Sequence, residues 1–220
     1  MNISAAQVKE LNNATGAGIM DCKRALQECK GDFDAAVKYL RERGIAKAAK
    51  RADKVAAEGT VASYIHMGGK IGVLVEVNCE TDFVARSDDF KKFVNDICLQ
   101  ICASNPRWIR KEDVPQAEYE AELEIYVKQA METGKPEAVC RKIAEGKMAK
   151  WYAEVCLLEQ PFVRDESLTI KDLLAELVAK CGEKIDIRRF TRYALGEGIE
   201  KKASNLAEEV AAEMAKYADQ

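Results

Sequence analysis

The sequence predicts an α+β protein with a small three-helix domain at its N-terminus, a core of about three antiparallel strands covered by helices, and a helical tail at its C-terminus. Three observations support this fold class. Apolar residues recur every three to four positions through most of the chain, which is the period of an amphipathic helix. Two β-branched runs, GTVASYIHM and KIGVLVEVNC, flank Gly68-Gly69, and a third run, KIDIRRFTRYAL, follows later. Because the alternation of the third run is imperfect, we expect a bulge or an edge position there.

Composition limits the classes of protein that this chain can represent. It has 220 residues, of which 48% are hydrophobic and 32% charged, with a formal net charge of −3 and no run of 18 apolar residues. The weak negative charge argues against a global attraction to nucleic acid, and nothing is long enough to span a membrane. The N-terminal stretch MNISAAQVKEL lacks the features of a targeting peptide. We therefore expect a cytoplasmic protein that binds neither nucleic acid nor membrane directly.

Residues 1–44 are predicted to form a separate domain of three short helices. The first helix ends at ATGAG (14–18), where glycines permit the positive φ of a sharp turn. Gly31-Asp32 ends the second helix and caps the third, which Gly44 closes. The apolar stripes of the second and third helices have helical spacing and consist of Cys22, Ala25, Leu26, Cys29, Phe33, Ala36, Val37 and Leu40.

Residues 45–58, IAKAAKRADKVAAE, are predicted to form a basic linker. Six Lys/Arg and two Asp/Glu lie between Arg41 and Lys54. A solvated helical connection is one interpretation, and a weak RNA-facing patch is the other. No aromatic residues alternate with the charges, as they do in many single-strand binding surfaces.

Residues 59–197 are predicted to form the core. The first two strands pair as a hairpin around Gly68-Gly69. A long helix then begins after the N-cap Ser87 and ends at Asn105-Pro106. Its apolar stripe consists of Phe90, Phe93, Val94, Ile97, Cys98, Ile101 and Cys102.

Three more helices are expected before the last strand. The second of these runs to about Leu158 and precedes a turn over residues 159–162. Residues 198–220 are predicted to form a C-terminal helical module. Its apolar stripe is thin and consists of Leu206, Val210, Met214 and Tyr217. Such a helix is expected to lean on the core or on a partner.

No enzyme signature appears in the chain. There is no phosphate-binding loop, dinucleotide fingerprint or nucleophile elbow, and the eight cysteines form no C-x-x-C pair. Cys98 and Cys102 lie one helical turn apart, but a second pair of metal ligands is missing. The single histidine, His66, has no catalytic partner in the sequence. We expect a binding protein with reduced, structural thiols and without a metal or cofactor.

The stretch VEVNCETDFVARSDDF (75–90) stands out because a strand-like run ends and an acid and an aromatic follow at once. The strand ends at Cys79 and the next helix starts near Ser87, so residues 80–86 form a corner. Phe83 either folds under this corner to cap the core or anchors a partner, with Asp82 beside it. The residues alone leave both interpretations open.

Two segments resemble the signature motifs of the bacterial elongation factor Ts family. They are LNNATGAGIMDCKRAL (11–26) and EVNCETDFVAR (76–86), and the resemblance extends over essentially the whole chain. Asn12 departs from the basic residue that is usual at its position. The resemblance implies a guanine-nucleotide exchange factor for the GTPase elongation factor Tu, which delivers aminoacyl-tRNA to the ribosome.

The resemblance also implies which residues meet the GTPase. Asp82 and Phe83 would act as a wedge between helices of the GTPase domain and disturb the Mg²⁺ and phosphate site. Thr81 and Val84 would position this wedge. The N-terminal domain would dock through residues of its first turn, namely Thr15, Gly16, Gly18, Ile19, Met20 and Asp21.

In its length, this chain resembles the short form of the family, in which two chains associate to complete the core. We therefore expect a homodimer. The short form carries a cysteine near the middle of its last strand, where this chain has Thr191, so the dimer is expected to rest on apolar burial. Two alternatives remain open, a helical adaptor that uses its UBA-like N-terminal domain and an RNA- or ribosome-associated protein that uses the basic linker.

Overall fold

The computed structural model describes residues 3–51 and 53–199. Within these ranges the chain combines eight α-helices with antiparallel strands, which confirms the predicted α+β class. The helices are α1 (Ala5–Thr15), α2 (Ile19–Glu28), α3 (Phe33–Lys50), α4 (Asp82–Arg86), α5 (Asp88–Ser104), α6 (Gln116–Met131), α7 (Glu137–Val155) and α8 (Ile170–Cys181). The strands are β1 (Glu58–Ile65), β2 (Ile71–Cys79), β3 (Pro161–Phe162), β4 (Asp165–Thr169) and β5 (Ile185–Ala194). Every helix in the same ranges is too short or too polar to cross a membrane.

The predicted three-helix N-terminal domain is present. Ser4 caps α1 by accepting a hydrogen bond from the Gln7 amide at 3.2 Å, and Gly16 ends this helix with a φ of +64°. The helices enclose a small core of their own, which consists of Val8, Leu11, Cys22, Ala25, Leu26 and Ala36. The helical spacing therefore identified the buried face correctly.

The predicted end of the third helix at Gly44 is wrong, because α3 continues through this residue to Lys50. A Cβ atom added at Gly44 would lie 3.3 Å from the carbonyl oxygen of Ala175 and 3.4 Å from the Cβ of Ala179. The missing side chain lets α3 pack closely against α8, and this packing offsets the low helix propensity of glycine. The first part of the predicted linker 45–58 is thus a continuation of α3.

The main sheet has the strand order β1–β2–β5 and is antiparallel throughout. The hairpin between β1 and β2 turns at Gly68 and Gly69, which both adopt positive φ. In the pairing of β2 with β5, the register shifts between Glu76 and Val77, so no residue of β2 lies opposite Arg188. The third predicted strand therefore has both the expected features, because it is an edge strand that contains a bulge.

Helices α5 and α8 cover one face of this sheet. The complete predicted stripe of α5 is buried there, against Val73, Val75 and Val77 of β2. Ser87 is the N-cap of α5, as predicted, and accepts a hydrogen bond from the Phe90 amide at 3.3 Å. The opposite face of the sheet is not covered by any described helix.

The turn predicted over residues 159–162 is confirmed only at residues 159–160, because residues 161–162 form β3 and pair with β4 in a second, two-stranded sheet. The preceding helix, α7, ends at Val155 and not near Leu158. The buried side chain of Gln100 holds β3, because its amide donates to the Pro161 carbonyl and accepts from the Val163 amide at 2.9 Å. A two-residue strand that starts with proline carries no alternation, so sequence periodicity does not reveal it.

Helices α6 and α7 form an antiparallel hairpin with its own small core. Its buried members are Leu123, Ala144, Met148 and Trp151. The C-terminal helical module predicted for residues 198–220 lies outside the described residues from residue 200 onward. The eight cysteines are free thiols, and burial raises the pKa of Cys79, Cys98 and Cys156 to about 11. These thiols are therefore protonated at neutral pH.

Candidate functional site

The corner between β2 and α5 is a short helix, α4, and not the simple turn expected from the sequence. Thr81 is its N-cap and accepts a hydrogen bond from the Val84 amide at 3.5 Å. Ser87 ends α4 and begins α5, since its hydroxyl donates to the Val84 carbonyl at 2.7 Å. The chain thus changes direction through two capped helix ends that share one serine.

Phe83 points away from the protein, with 81% of its surface exposed. The interpretation in which its ring folds under the corner is therefore wrong. Val84 and Ala85 on the other side of α4 pack against the main core, which fixes the side of the helix that faces solvent. Burying a phenylalanine side chain is worth about 1.5–3 kcal/mol. This protein leaves that stabilisation unused at Phe83.

Asp82 lies beside Phe83 in the first turn of α4, where a carboxylate interacts favourably with the helix dipole. Its Oδ2 atom forms an ion pair with Nη2 of Arg86 at 2.8 Å, one helical turn away. The Arg86 side chain is exposed and the Asp82 side chain is about half exposed. Exposed pairs of this kind contribute about 0.3–0.5 kcal/mol, so Asp82 can exchange its partner at little cost.

The predicted docking residues of the N-terminal domain fall into two groups. Ile19 and Met20, at the start of α2, are exposed apolar side chains. They line an open groove between α1 and α2 together with Ile3, Ala5, Val8, Lys9, Asn12, Asn13 and Lys23. Gly18 and Asp21 flank them as the N-cap and an acidic first-turn residue of α2.

The other two predicted residues, Thr15 and Gly16, shape the turn before α2. The Thr15 hydroxyl donates to the Leu11 carbonyl at 2.7 Å and accepts from the Ala17 amide at 3.3 Å. A Cβ atom added at Gly16 would lie 3.3 Å from the side chain of Lys180 on α8. This part of the turn therefore faces the core, while Ile19 and Met20 face solvent.

The uncovered face of the main sheet carries several exposed apolar side chains. Alternation along the strands places Val61 and Ile65 of β1, Leu74 of β2 and Thr191 and Tyr193 of β5 on this face, where all are exposed. In the register of the sheet, Leu74 lies opposite Thr191. Leu74 therefore lies at the centre of the face between the hydroxyl side chains of Ser63 and Thr191.

A charged cluster lies on the same face, beside Leu74. Glu76 accepts from Nη1 of Arg188 at 2.7 Å and from Nε of Arg189 at 2.6 Å. These hydrogen bonds lower the pKa of Glu76 to about 2. Glu76 is consequently ionised over the whole physiological pH range.

Comparison with known proteins decides the family. The family model described as Elongation factor TS matches residues 34–197. Elongation factor Ts of Alkaliphilus oremlandii is 59% identical over 98% of this chain and 99% of its own length. Those of Geobacter sulfurreducens and Carboxydothermus hydrogenoformans are 57% and 56% identical, each over 96% of this chain and 98% of its own length. The chain belongs to the elongation factor Ts family.

Membership of the elongation factor Ts family confirms the resemblance that the two sequence motifs indicated. It makes this chain a translation elongation factor of the exchange-factor type. The described residues of this elongation factor Ts contain no group of three or more His, Cys, Asp or Glu side chains arranged to hold a metal ion. His66 is engaged with the Tyr64 hydroxyl at 3.1 Å.

Sequence reasoning missed two carboxylates at the base of α4. Glu183 accepts hydrogen bonds from the backbone amide and the hydroxyl of Thr81, although 102 residues separate the two positions. Glu80 accepts from the Lys184 amide and from the Arg51 guanidinium. Glu183 is an ordinary charged residue in a polar segment, so no local pattern distinguishes it, whereas Glu80 lies within the motif EVNCETDFVAR.

Proposed function

We propose that this elongation factor Ts binds elongation factor Tu in its GDP-bound form and promotes GDP release by inserting Asp82 and Phe83 between helices of the GTPase. The observation that supports this proposal most strongly is the exposure of Phe83 on a helix whose other side is packed on the core. Val84 and Thr81 then serve to hold the wedge. The place of action is the cytoplasm, where translation elongation occurs.

An exposed aromatic ring on a fixed helix is suited to act as an anchor. When such a ring becomes fully desolvated in a partner groove, it contributes about 2–4 kcal/mol to binding. Because α4 is already folded and packed, little conformational entropy is lost when Phe83 inserts. The free energy of insertion is therefore available to displace elements of the partner.

Asp82 would give the wedge its direction and its effect on the nucleotide site. Mg²⁺ bridges nucleotide phosphates in GTPases, and its loss weakens nucleotide binding. A carboxylate introduced beside the elements that hold Mg²⁺ competes for their hydrogen-bond donors and cations. Arg86 keeps Asp82 in place in the free protein through an ion pair weak enough to be exchanged on binding.

Nucleotide exchange requires no reactive group on this protein. It requires a surface that binds nucleotide-free elongation factor Tu more tightly than the GDP-bound form. By linkage, elongation factor Ts weakens GDP binding by the same factor by which GDP weakens the binding of elongation factor Ts. A surface with equal affinity for the two forms would shift nothing.

This coupling is the quantity to measure. We expect the dissociation constant for nucleotide-free elongation factor Tu to be roughly 100-fold lower than that for the GDP-bound form. Isothermal titration calorimetry provides both constants, and release of a fluorescent GDP analogue provides the rate. Equal affinities for the two forms would contradict the exchange proposal.

The N-terminal domain would supply a second contact through Ile19 and Met20. An exposed apolar pair next to an open groove is typical of a docking surface. Gly18 and Asp21 flank this pair, and Thr15 and Gly16 form the turn that presents it. Simultaneous binding through the Ile19–Met20 surface and through the wedge would give a higher overall affinity for elongation factor Tu than either contact alone.

The uncovered face of the sheet supports a homodimer. Two antiparallel sheets can stack face to face at about 10 Å, and the exposed side chains of Val61, Ile65, Leu74 and Tyr193 suit such packing. The Glu76–Arg188–Arg189 cluster lies on the same face and would enter the interface with its charges already paired by hydrogen bonds. Each chain would then serve one GTPase.

Replacing Leu74 with glutamate is expected to convert the dimer into a monomer, because the carboxylate would be buried at the centre of the interface without a partner. Light scattering should give about twice the chain mass for the wild type and the mass of one chain for the variant. The control is Val139→Glu, which adds the same charge at an exposed apolar position on α7. A monomeric wild-type protein would contradict this proposal.

A further inference from the structure

The short helix α4, which carries Asp82 and Phe83, depends on contacts with other segments for its orientation. It has five residues and contains no fully buried side chain. Isolated helices shorter than about 12 residues are marginal in water. Packing of Val84 and Ala85 against the main core fixes which side of α4 faces solvent. The direction of the helix axis depends on the contacts at its N-terminus.

The hydrogen-bond ladder between β2 and β5 stops immediately before α4. Its last pair is Cys79 with Ile185. If the antiparallel register continued, Glu80 would lie opposite Lys184, and Thr81 opposite Glu183. Backbone carbonyls would normally accept the amide hydrogens of these residues.

In this extension of the ladder, side-chain carboxylates and not backbone carbonyls accept hydrogen bonds from the backbone amides. Oε2 of Glu183 accepts from the Thr81 amide at 3.0 Å, and Oε1 of Glu80 accepts from the Lys184 amide at 2.6 Å. Each segment thus supplies one carboxylate to the backbone of the other. We call these two reciprocal bonds between residues 80–81 and 183–184 the carboxylate clamp. Hydrogen bonds to ionised acceptors are roughly twice as strong as those between neutral groups.

Glu183 also orients the cap of the wedge helix. Its Oε1 atom accepts a hydrogen bond from the Thr81 hydroxyl, with an oxygen–oxygen distance of 2.7 Å. Because a hydroxyl has only one proton, the lone pairs of Thr81 are left to accept from the Val84 amide in α4. Glu183 itself is placed by Gly182, which ends α8 with a φ of +72°. The direction of α4 is thereby connected to the end of α8.

Glu80 connects the same base to the segment that follows the N-terminal domain. Its Oε1 atom lies 2.9 Å from Nη1 of Arg51, and Nζ of Lys184 donates to the Lys54 carbonyl at 2.9 Å. Hydrogen bonding to the Lys184 amide, assisted by Arg51, lowers the pKa of Glu80. Glu80 is therefore ionised at neutral pH. The carboxylate clamp connects α4 and the main sheet to the segment that follows the N-terminal domain.

We infer that Glu183 is a positioning residue for nucleotide exchange, which acts through Thr81 to aim Asp82 and Phe83. This role rests on the proposed function of the wedge. Glu183 does not need to touch the GTPase, because its carboxylate is engaged with Thr81. Its removal leaves Phe83 present and exposed but allows α4 to change direction.

The test is release of a fluorescent GDP analogue from elongation factor Tu, measured with the full chain over a range of its concentrations. Glu183→Ala is expected to lower the rate at saturation about tenfold, since small displacements of a positioned group have effects of this size or larger. The half-saturating concentration is expected to change less than about threefold, because the surface around Ile19 and Met20 is intact.

Asp172 offers a matched control within the same protein. It accepts from the amide and the hydroxyl of Thr169, at 3.0 Å and 2.7 Å, and so caps α8 with the chemistry that Glu183 uses on Thr81. Asp172→Ala is expected to lower the melting temperature but to leave the rate at saturation unchanged. Equal losses of rate in the two variants would show a general effect of stability and overturn the inference.

Two further variants separate positioning from folding. In a Phe83→Ala background, Glu183→Ala is expected to cause no further loss of rate, because Glu183 acts only through the wedge. Glu183→Gln keeps one acceptor oxygen and is expected to fall between the alanine variant and the wild type. If Glu183→Ala fails to fold, a wild-type rate for Glu183→Gln overturns the inference.

The outcomes also separate this inference from the function on which it rests. A full rate for Phe83→Ala would reject the wedge itself, together with any role of Glu183. A low rate for Phe83→Ala combined with a full rate for Glu183→Ala would keep the wedge and reject the positioning role. A low rate for both single variants, without further loss in the double variant, supports both.

Discussion

Replacing Phe83 with alanine is expected to lower the rate of stimulated GDP release from elongation factor Tu by an order of magnitude or more. The variant loses the apolar surface that would fill the groove of the partner, and truncation of such an anchor costs about 2 kcal/mol or more. The fold and stability of the protein should be unaffected, because Phe83 is 81% exposed and is not part of the core. Release of a fluorescent GDP analogue measures the rate, and circular dichroism checks the fold.

The control for Phe83→Ala is Ile125→Ala, which removes an exposed apolar side chain from α6. It should leave the exchange rate unchanged. The alternative function, a helical adaptor that uses only its N-terminal domain, makes the opposite prediction for Phe83. Under that alternative, Phe83→Ala would bind and act as the wild type does, and the loss of residues 1–44 alone would abolish binding.

Gly59→Ala is expected to reduce the free energy of unfolding by about 3 kcal/mol, the largest stability effect that we predict for a single methyl group. Gly59 lies in β1 with a φ of +136°. A Cβ atom at this position would overlap the Val77 carbonyl oxygen and lie 2.7 Å from the Cα of Asn78. Because these atoms belong to the backbone of β2, only movement of the strand could relieve the overlap. Chemical denaturation measures this change.

Gly146 provides the matched control for Gly59. It lies in the interior of α7, and a Cβ atom added there would have no neighbour within 4 Å. Gly146→Ala is therefore expected to stabilise the protein by about 0.5–1 kcal/mol, since alanine has the higher helix propensity. The same chemical change should thus have opposite signs at the two positions. A Gly59→Ala variant as stable as the wild type would show that β1 adjusts freely.

Much of the fold was predictable because helix and strand periods are local properties of the chain. The buried stripe of α5 and the hairpin around Gly68-Gly69 follow directly from spacing and turn chemistry. Errors arose where a tertiary contact overrides a local preference. Gly44 would end an isolated helix, but close packing against Ala175 keeps it within α3. The short strand β3 exists because Gln100 binds its backbone.

The candidate site shows the same division. The motif EVNCETDFVAR and its place between a predicted strand and a predicted helix were sufficient to identify Asp82 and Phe83 as a pair of interest. The residues that hold the pair were not predictable in this way. Glu183 is one of many surface carboxylates in the sequence, and only its hydrogen bonds to Thr81 distinguish it.

By itself, the sequence determined the family, the α+β class, and the positions of most helices and strands, because these depend on motifs and periodicities that span a few residues. Only the tertiary structure decided that Phe83 faces solvent, that the helices of residues 3–51 and 53–199 leave one face of the sheet uncovered, and that Thr81 at the start of α4 is hydrogen-bonded to a residue 102 positions away. The physical reason is that exposure and hydrogen-bond partners depend on which distant segments meet. The hydrophobic periodicity of a single segment carries no information about which distant segments it contacts.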